Sequence, residues 1–251
     1  MIQFMTLDER PDLAQRYARE AEDFWPPHMQ FVYHDPVCEA FWPRLKLEFP
    51  AFQFIAYDDE HDCFLGQGDT VPFTWSGRDQ DLPEGVPAVL GMAFAQAAQG
   101  IRATALCALL VGIQPNVKSK GLSAEMLRYM KQLARRHGLS SLVAPVRPNL
   151  KELYPLTPME RYIQWRRSDT LLFDPWLRTH ERLGARLASI ASKGNVFRGS
   201  VSDWERWTGL WLPDSGEYVV RGAMNPVSID RERDEGVLTE PNVWMVHAVQ
   251  A

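Results

Sequence analysis

Residues 113–123, IQPNVKSKGLS, lie where an apolar run ends and an amphipathic segment begins. The preceding run, ALCALLV at residues 105–111, is short enough for a buried strand. Downstream, apolar residues recur at helical spacing as far as Ala134, and the pattern stops at Gly138 after the basic His137. The loop therefore ends at a helix N-terminus, where free N–H groups and the helix dipole favour a phosphate or pyrophosphate.

Four residues of this loop strengthen the anion-site interpretation. Gly121 lets the backbone approach a phosphate closely, Ser123 is small and caps helices well, and Lys118 and Lys120 add positive charge. The stretch has neither the G-x-G-x-x-G of dinucleotide folds nor the G-K-[ST] ending of a P-loop. An ordinary strand-to-helix turn with solvated lysines remains the alternative.

The stretch resembles the acyl-CoA pyrophosphate loop of the GNAT N-acetyltransferase superfamily, whose pattern is V-x-P-x-x-[R/Q]-x-x-G-x-[G/A]. Ile113, Pro115, Lys118, Gly121 and Ser123 stand at the patterned positions. Lysine replaces Arg/Gln and serine replaces Gly/Ala, which retains charge and small size. The resemblance implies an α/β protein of the α+β type with the GNAT acyl-CoA N-acyltransferase fold. That fold has a mixed, mostly antiparallel sheet flanked by helices and splayed between strands 4 and 5.

The resemblance also implies which residues bind acyl-CoA. In the family, a bulge in the fourth strand offers backbone N–H groups to the thioester and pantetheine, and the fifth strand often ends at an asparagine. The residues at the corresponding positions here are Leu110, Val111, Ile113, Lys118, Ser119, Lys120, Gly121, Leu122, Ser123 and Asn149.

HERLGA at residues 180–185 resembles the family's Y-x-K-x-G-F, with His180 at the tyrosine near the CoA sulfur. Because imidazole titrates near neutral pH, His180 is a candidate general acid for the leaving thiolate. A histidine on a helix surface is the alternative.

The reaction implied by the resemblance is direct attack of a small amine on acetyl-CoA, or on another acyl-CoA, as cosubstrate. Many family members place a glutamate base on the fourth strand, but residues 104–111 contain no carboxylate. Asp69, Glu39 and Glu240 are possible substitutes, and a water chain could also serve. The sequence therefore identifies no base.

Composition favours a cytoplasmic enzyme folded as a single elaborated domain over residues 1–251. The chain has 45% hydrophobic residues and a net charge of -5, which argues against nucleic acid as its main partner. Its three cysteines, Cys38, Cys63 and Cys107, form neither a disulfide framework nor a metal site. We expect no metal cofactor and no membrane partner, while a homodimer stays open. The acidic residues 58–62 read as a solvated hairpin turn rather than a cation site.

Hydrophobic periodicity predicts an order of elements that follows the family. Helices are predicted at 8–24, 36–48 and 88–99 and from 122 to the stop at Gly138. Strands are predicted at 2–6, 52–57, 63–75, 105–111, 142–146, 186–191, 195–200, 217–220 and 242–248.

Two insertions, at residues 76–102 and 150–177, leave strands that border the acceptor site in the family, so we expect them to cover it. Their aromatic and basic residues would favour an acceptor with an apolar part and a carboxylate; arginines that merely solvate the insertions are the alternative. These residues are Trp75, Tyr154, Tyr162, Trp165 and Trp176, with Arg161, Arg166, Arg167 and Arg178 nearby.

Trp204, Trp207 and Trp211 share one face at helical spacing, either as core or as a wall around an acyl chain. Two other classes of protein also stay open. One is a catalytically inactive acyl-CoA-binding or regulatory GNAT-like protein. The other is a non-GNAT α+β protein whose loop binds a different phosphate or nothing.

Overall fold

The structure is a computed structural model that describes residues 1–21, 23–117 and 121–249. Its strands are β1 (Ile2–Thr6), β2 (Phe54–Asp58), β3 (Cys63–Phe73), β4 (Ala105–Ile113), β5 (Ser141–Val146), β6 (Arg186–Gly199), β7 (Gly216–Tyr218), β8 (Val227–Asp230) and β9 (Glu235–Ala248). Its helices are α1 (Pro11–Glu20), α2 (Pro36–Glu48), α3 (Val86–Ala98), α4 (Leu122–Arg136), α5 (Met159–Tyr162), α6 (Pro175–Arg182) and α7 (Val201–Thr208). A 3-10 segment, Pro27–Tyr33, lies between α1 and α2. Within these described ranges, no helix has the length and apolar character to cross a membrane.

The strands form one mixed sheet in the order β1-β2-β3-β4-β5-β9, and β6 pairs along the other edge of β9. Neighbouring strands run antiparallel except β4 and β5, which are parallel. The short β8 and β7 extend from the first half of β9. The mixed, mostly antiparallel sheet that the sequence predicted is therefore confirmed.

Successive side chains of the central strands point to opposite faces of the sheet, as the two-residue period of a strand requires. Leu106 and Leu142 pack under α4, whereas Cys107 and Val143 pack with α2 and α3 on the other face. Each helix contributes an apolar stripe to one face. This arrangement explains why β4 and β5 read as continuous apolar runs: both faces are covered.

Sequence and structure differ mainly in the C-terminal third of the chain. The two strands predicted at 186–191 and 195–200 are one long strand, β6, with register shifts where it pairs with β9. Strand β8 was not predicted. Trp204 and Trp207 lie on α7 and are buried core residues, but Trp211 lies beyond the helix and is 79% exposed, so the shared face of three tryptophans was wrong.

Candidate active site

Strands β4 and β5 are paired only where they begin. Their parallel register runs from Ala105 opposite Ser141 to Cys107 opposite Val143, and no pairing follows. Beyond that point the described structure has a cleft of about 1020 Å³, lined on one side by residues 108–111 of β4 and on the other by residues 144–146 of β5 and by Arg147. The predicted splay between the fourth and fifth strands is confirmed, and it forms the centre of the candidate site.

A bulge changes the direction of β4 at the wall of the cleft. Asp69 of β3 faces Leu110, but the next residue of β3 faces Ala108, so Leu109 is the extra residue. A bulged residue leaves the ladder and re-aims its neighbours. Leu110 and Val111, both predicted site residues, line the cleft beside this bulge, whereas Ile113 lies outside the lining.

The start of α4 has the backbone geometry of the predicted anion site. Gly121 is its N-cap with φ 91° and ψ -5°, a left-handed conformation that favours glycine, and it has no side chain to satisfy the first amides of the helix. Leu122 is buried and Ser123 is half-buried in the first turn. Lys118, Ser119 and Lys120 lie outside the described residues. Asn149, after β5, lines the cleft.

His180 lies on α6 and reaches the same cleft. Its ring is buried, Nδ1 is 2.9 Å from Nε2 of His247 on β9, and Nε2 has no hydrogen-bond partner among the described residues. Burial holds the pKa of His180 well below its usual range, and the neighbouring His247 lowers it further. The helix-surface alternative for His180 is therefore wrong.

The far end of the cleft is walled by the connection between α1 and α2 and by β6 and β9. The aromatic side chains of this wall are Phe24, Trp25, Tyr33 and Trp42. Its polar side chains include Asp23, Glu39, Gln67, Asn195 and Asn242. Asp23 accepts hydrogen bonds from the Tyr33 hydroxyl and from the Trp25 amide, which fixes this exposed carboxylate at the rim.

Two amide side chains of this wall present acceptors rather than donors. Gln67 donates its Nε2 to the buried carboxylate of Asp69 over 2.8 Å, which leaves the carbonyl oxygen of the amide for other contacts. Asn242 is buried, and its Oδ1 has no hydrogen-bond partner within the part of the chain that the structure describes. A buried acceptor without a donor costs free energy, so a ligand donor at this position would be favoured.

The three carboxylates considered as bases have different environments. Asp69 is buried behind the cleft, bonded to Trp42 and Gln67, and burial raises its pKa. Glu240 is also buried and accepts two hydrogen bonds from Arg147 and one from the Met224 amide. Of the three, Glu39 alone lines the cleft, where it pairs with His34.

The two insertions line the cleft less than the sequence led us to expect. They contribute Val86, Glu152 and Trp176 to the described lining. Tyr154, Tyr162 and Trp165 instead pack on one another, because the insertion needs a small core of its own. The arginines make ordinary contacts: Arg166 pairs with Glu181, and Arg178 donates to the carbonyls of residues 172 and 173. The arginines of the insertions are therefore not among the described residues that line the cleft.

Sequence reasoning missed three polar residues in or beside the cleft. His247, Asn242 and Gln67 lie on strands where they read as ordinary polar alternation, and nothing in their spacing marked them. The stretch DFWPP at residues 23–27 carried a signal that could have been used. Two aromatic residues next to two prolines after a helix indicate a fixed aromatic loop rather than a flexible one.

Comparison with known proteins agrees with this geometry. No family model matches the chain. An arginine N-acetyltransferase, avaD of Aspergillus versicolor, is 28% identical over 97% of this chain and 93% of its own. The loading GNATL domain of CurA from Lyngbya majuscula is similar in structure, with a TM-score of 0.58 and 18% identity over 100% of this chain and 98% of that one. The GphF GNAT-like decarboxylase in complex with isobutyryl-CoA has a TM-score of 0.56 and 16% identity over the whole of both chains.

The splayed β4 and β5 and the strand order around them define the GNAT fold. The chain therefore has the fold of the GNAT acyltransferases, and along almost its whole length it is similar to an arginine N-acetyltransferase.

Proposed function

We propose that the protein transfers an acyl group, with acetyl as the first candidate, from acyl-CoA to a small cationic amine by direct attack. The observation that carries the proposal is the cleft through the β4/β5 splay, which has a bulged strand on one side and a buried histidine on the other. Backbone N–H groups beside the bulge would stabilise the developing oxyanion. The pantetheine arm would lie in the splay, with its pyrophosphate at the start of α4 near Gly121.

The acceptor end favours a cation over the carboxylate-bearing molecule expected from the sequence. Asp23, Glu39 and Glu152 line the cleft. Arg147 is the one arginine among the lining residues that the structure describes, and it pairs with Glu240. The amide oxygens and aromatic faces of the wall also suit a donor-rich, positively charged group. The relative from Aspergillus versicolor is an arginine N-acetyltransferase, so arginine and related guanidines are the first acceptors to test.

Calorimetry with acetyl-CoA and CoA tests the binding half of the proposal. Gly121→Glu should abolish binding, because the new carboxylate enters the phosphate site. Gly138→Glu, at the other end of α4, is the matched control: both glycines have positive φ and open space around an added Cβ. Equal affinities of the two folded variants would contradict the assignment of the pyrophosphate site.

Release of free thiol with a panel of amines tests the transfer half. Turnover should be higher with arginine and other guanidines than with neutral or carboxylate-rich amines of similar size. Binding of acyl-CoA without turnover of any amine would favour the inactive binding protein instead.

A second candidate is decarboxylation of a carboxyacyl-CoA. The GNAT-like decarboxylase shares this fold, and residues 108–111 at the splay carry no carboxylate to act as an amine base. Mass analysis after incubation with malonyl-CoA or methylmalonyl-CoA, without amine, separates the two activities. Loss of carbon dioxide with no acylated amine would select the second candidate.

A further inference from the structure

The connection between α1 and α2 is packed against three other parts of the protein. Phe24 lies on Gly112 of β4, where an added Cβ would be 2.8 Å from its ring. Met29 lies in the same way on Gly222, where an added Cβ would be 2.6 Å from its side chain. Phe31 is 0% exposed and belongs to the apolar cluster formed with α7. Close packing of this kind fixes the backbone, so the described part of the connection forms a defined wall of the cleft.

Asp23 accepts two hydrogen bonds from neutral donors of the same connection. Its Oδ1 accepts from the Trp25 amide over 2.9 Å and from the Tyr33 hydroxyl. The Trp25 ring is held in turn by a cation–π contact, with its centroid 5.9 Å from the guanidinium carbon of Arg147. Asp23, Trp25 and Tyr33 all line the cleft, and Asp23 and Tyr33 are exposed. These bonds orient the carboxylate and leave its negative charge in place.

The other two carboxylates that line the cleft already face basic side chains. Glu39 lies 3.1 Å from the ring of His34. Burial alone would lower the pKa of Arg147, but Glu240 and then Glu152 outweigh burial and hold that pKa above its usual value. Part of the Arg147 charge therefore acts on Glu152.

Asp23 has no such partner. Its two hydrogen bonds come from a hydroxyl and a backbone amide, and it forms no ion pair with any residue that the structure describes. A carboxylate attracts a cation most strongly where no other positive charge is already close to it. A cationic ligand in the cleft therefore gains most from contact with Asp23.

We propose that Asp23 is the specificity-determining residue for the acceptor, that it binds a guanidinium group, and that Tyr33 is the positioning residue that orients it. This inference rests on the proposed acyl transfer and deepens it by naming the group that is recognised and the residue that recognises it. A guanidinium is planar, and its paired N–H groups match the two oxygens of a carboxylate. The neighbouring aromatic rings also attract a cation.

The position of Asp23 suits an acceptor with two different nitrogen groups. The reacting amine must be neutral to attack a thioester, and a carboxylate beside it would instead favour the charged ammonium. Asp23 lies at the exposed rim, whereas the splay of β4 and β5 lies at the centre of the cleft. A guanidinium stays charged at neutral pH, so it can bind at the rim while the amine reacts at the splay.

Arginine and citrulline are the matched acceptors for the test, because they have similar size and differ in the charge of the end group. Asp23→Asn keeps an oxygen that can accept from Tyr33 and from the Trp25 amide, but it removes the charge. The ratio of kcat/KM for arginine to that for citrulline should fall by about 10–100-fold. The change should be in KM for arginine, with acyl-CoA affinity unchanged, because the lost contact is remote from the reacting atoms.

Three further variants separate recognition from structure. Tyr33→Phe keeps the ring but removes the bond to Asp23, so the ratio should fall by less than in Asp23→Asn. A merely structural role for Tyr33 would lower stability and leave the ratio unchanged. Asp12→Asn, which alters an exposed carboxylate paired with Arg10 on α1, is the control and should leave the ratio unchanged. An equal fall in Glu39→Gln and Asp23→Asn would overturn the assignment to Asp23.

Calorimetry on the protein saturated with CoA tests recognition without turnover. Arginine should bind the wild-type protein about 10–100-fold more tightly than the Asp23→Asn variant. If arginine binds in this way but no amine is acylated, the proposed acyl transfer fails and the recognition site stands. If arginine is acylated with the same preference over citrulline in both proteins, acyl transfer stands and this inference is overturned. Failure of arginine to bind the wild-type protein would also overturn it.

Discussion

Replacing Arg147 with methionine should cost far more stability than replacing a surface arginine on the neighbouring strands. The guanidinium donates to both oxygens of Glu240, at 2.7 and 3.0 Å, and to the Gly222 carbonyl. The Glu240 side chain is 1% exposed, so water cannot take the place of the lost cation. Removing one partner of a buried pair costs about 3–5 kcal/mol. The nearby Lys151 ammonium partly compensates for the Glu240 charge, which places the expected loss at the lower end, about 3 kcal/mol.

Urea denaturation at pH 7 measures this loss as a change in the free energy of unfolding at constant m-value. The control is Arg198→Met, which breaks the pair between Arg198 of β6 and Glu235 of β9. There the side chains are 54% and 41% exposed, and the loss should stay below about 1 kcal/mol. Equal losses in the two variants would refute the argument that burial, rather than the ion pair itself, sets the cost.

Two further predictions concern the cleft. Gly112→Val should raise KM for the amine without changing acyl-CoA affinity, because an added Cβ would lie 2.8 Å from the Phe24 ring and displace that side of the cleft. Steady-state kinetics measure the change. The control is Gly91→Ala, where an added Cβ meets no other atom. Burial lowers the pKa of His247 from 6.5 to about 4, and it also lowers the pKa of His180. Between the folded and unfolded pKa values, the unfolded chain therefore binds more protons than the folded protein. The free energy of unfolding should therefore fall as pH falls from about 6.5 towards 4, and His247→Phe should flatten that slope in urea titrations at a series of pH values.

The fold was largely predictable because its deciding elements carry local signals. The apolar run of β4, the glycine at position 121 and the 3.6-residue pattern of α4 come in direct succession, and each has a physical cause within a few residues. The boundaries of α2 were predicted at 36–48 as observed, because Pro36 starts the helix and Asp35 caps it.

The far wall of the cleft was not predictable in the same way. It joins residues from the α1–α2 connection, β3, β6 and β9, which come together through long-range pairing. The long insertions drew more weight in the sequence than the short loop at 23–27. That loop nevertheless passes over Gly112 of β4, where a missing side chain makes room for Phe24. The surroundings of His180 were not predictable for a related reason. Its partner His247 is 67 residues away, and a single sequence carries no sign of that contact.

Strand β9 is the last strand of the sheet in chain order, and it has consequences for how the protein reaches its native state. It pairs with β5, β6 and β8, and within eight residues it supplies Glu240, Asn242 and His247. Until β9 inserts, β5 and β6 are both open edges, and pairing across such sequence distances is slow. We therefore expect cleft assembly to be the late, rate-limiting event of folding, with partly folded chains prone to aggregate before it occurs.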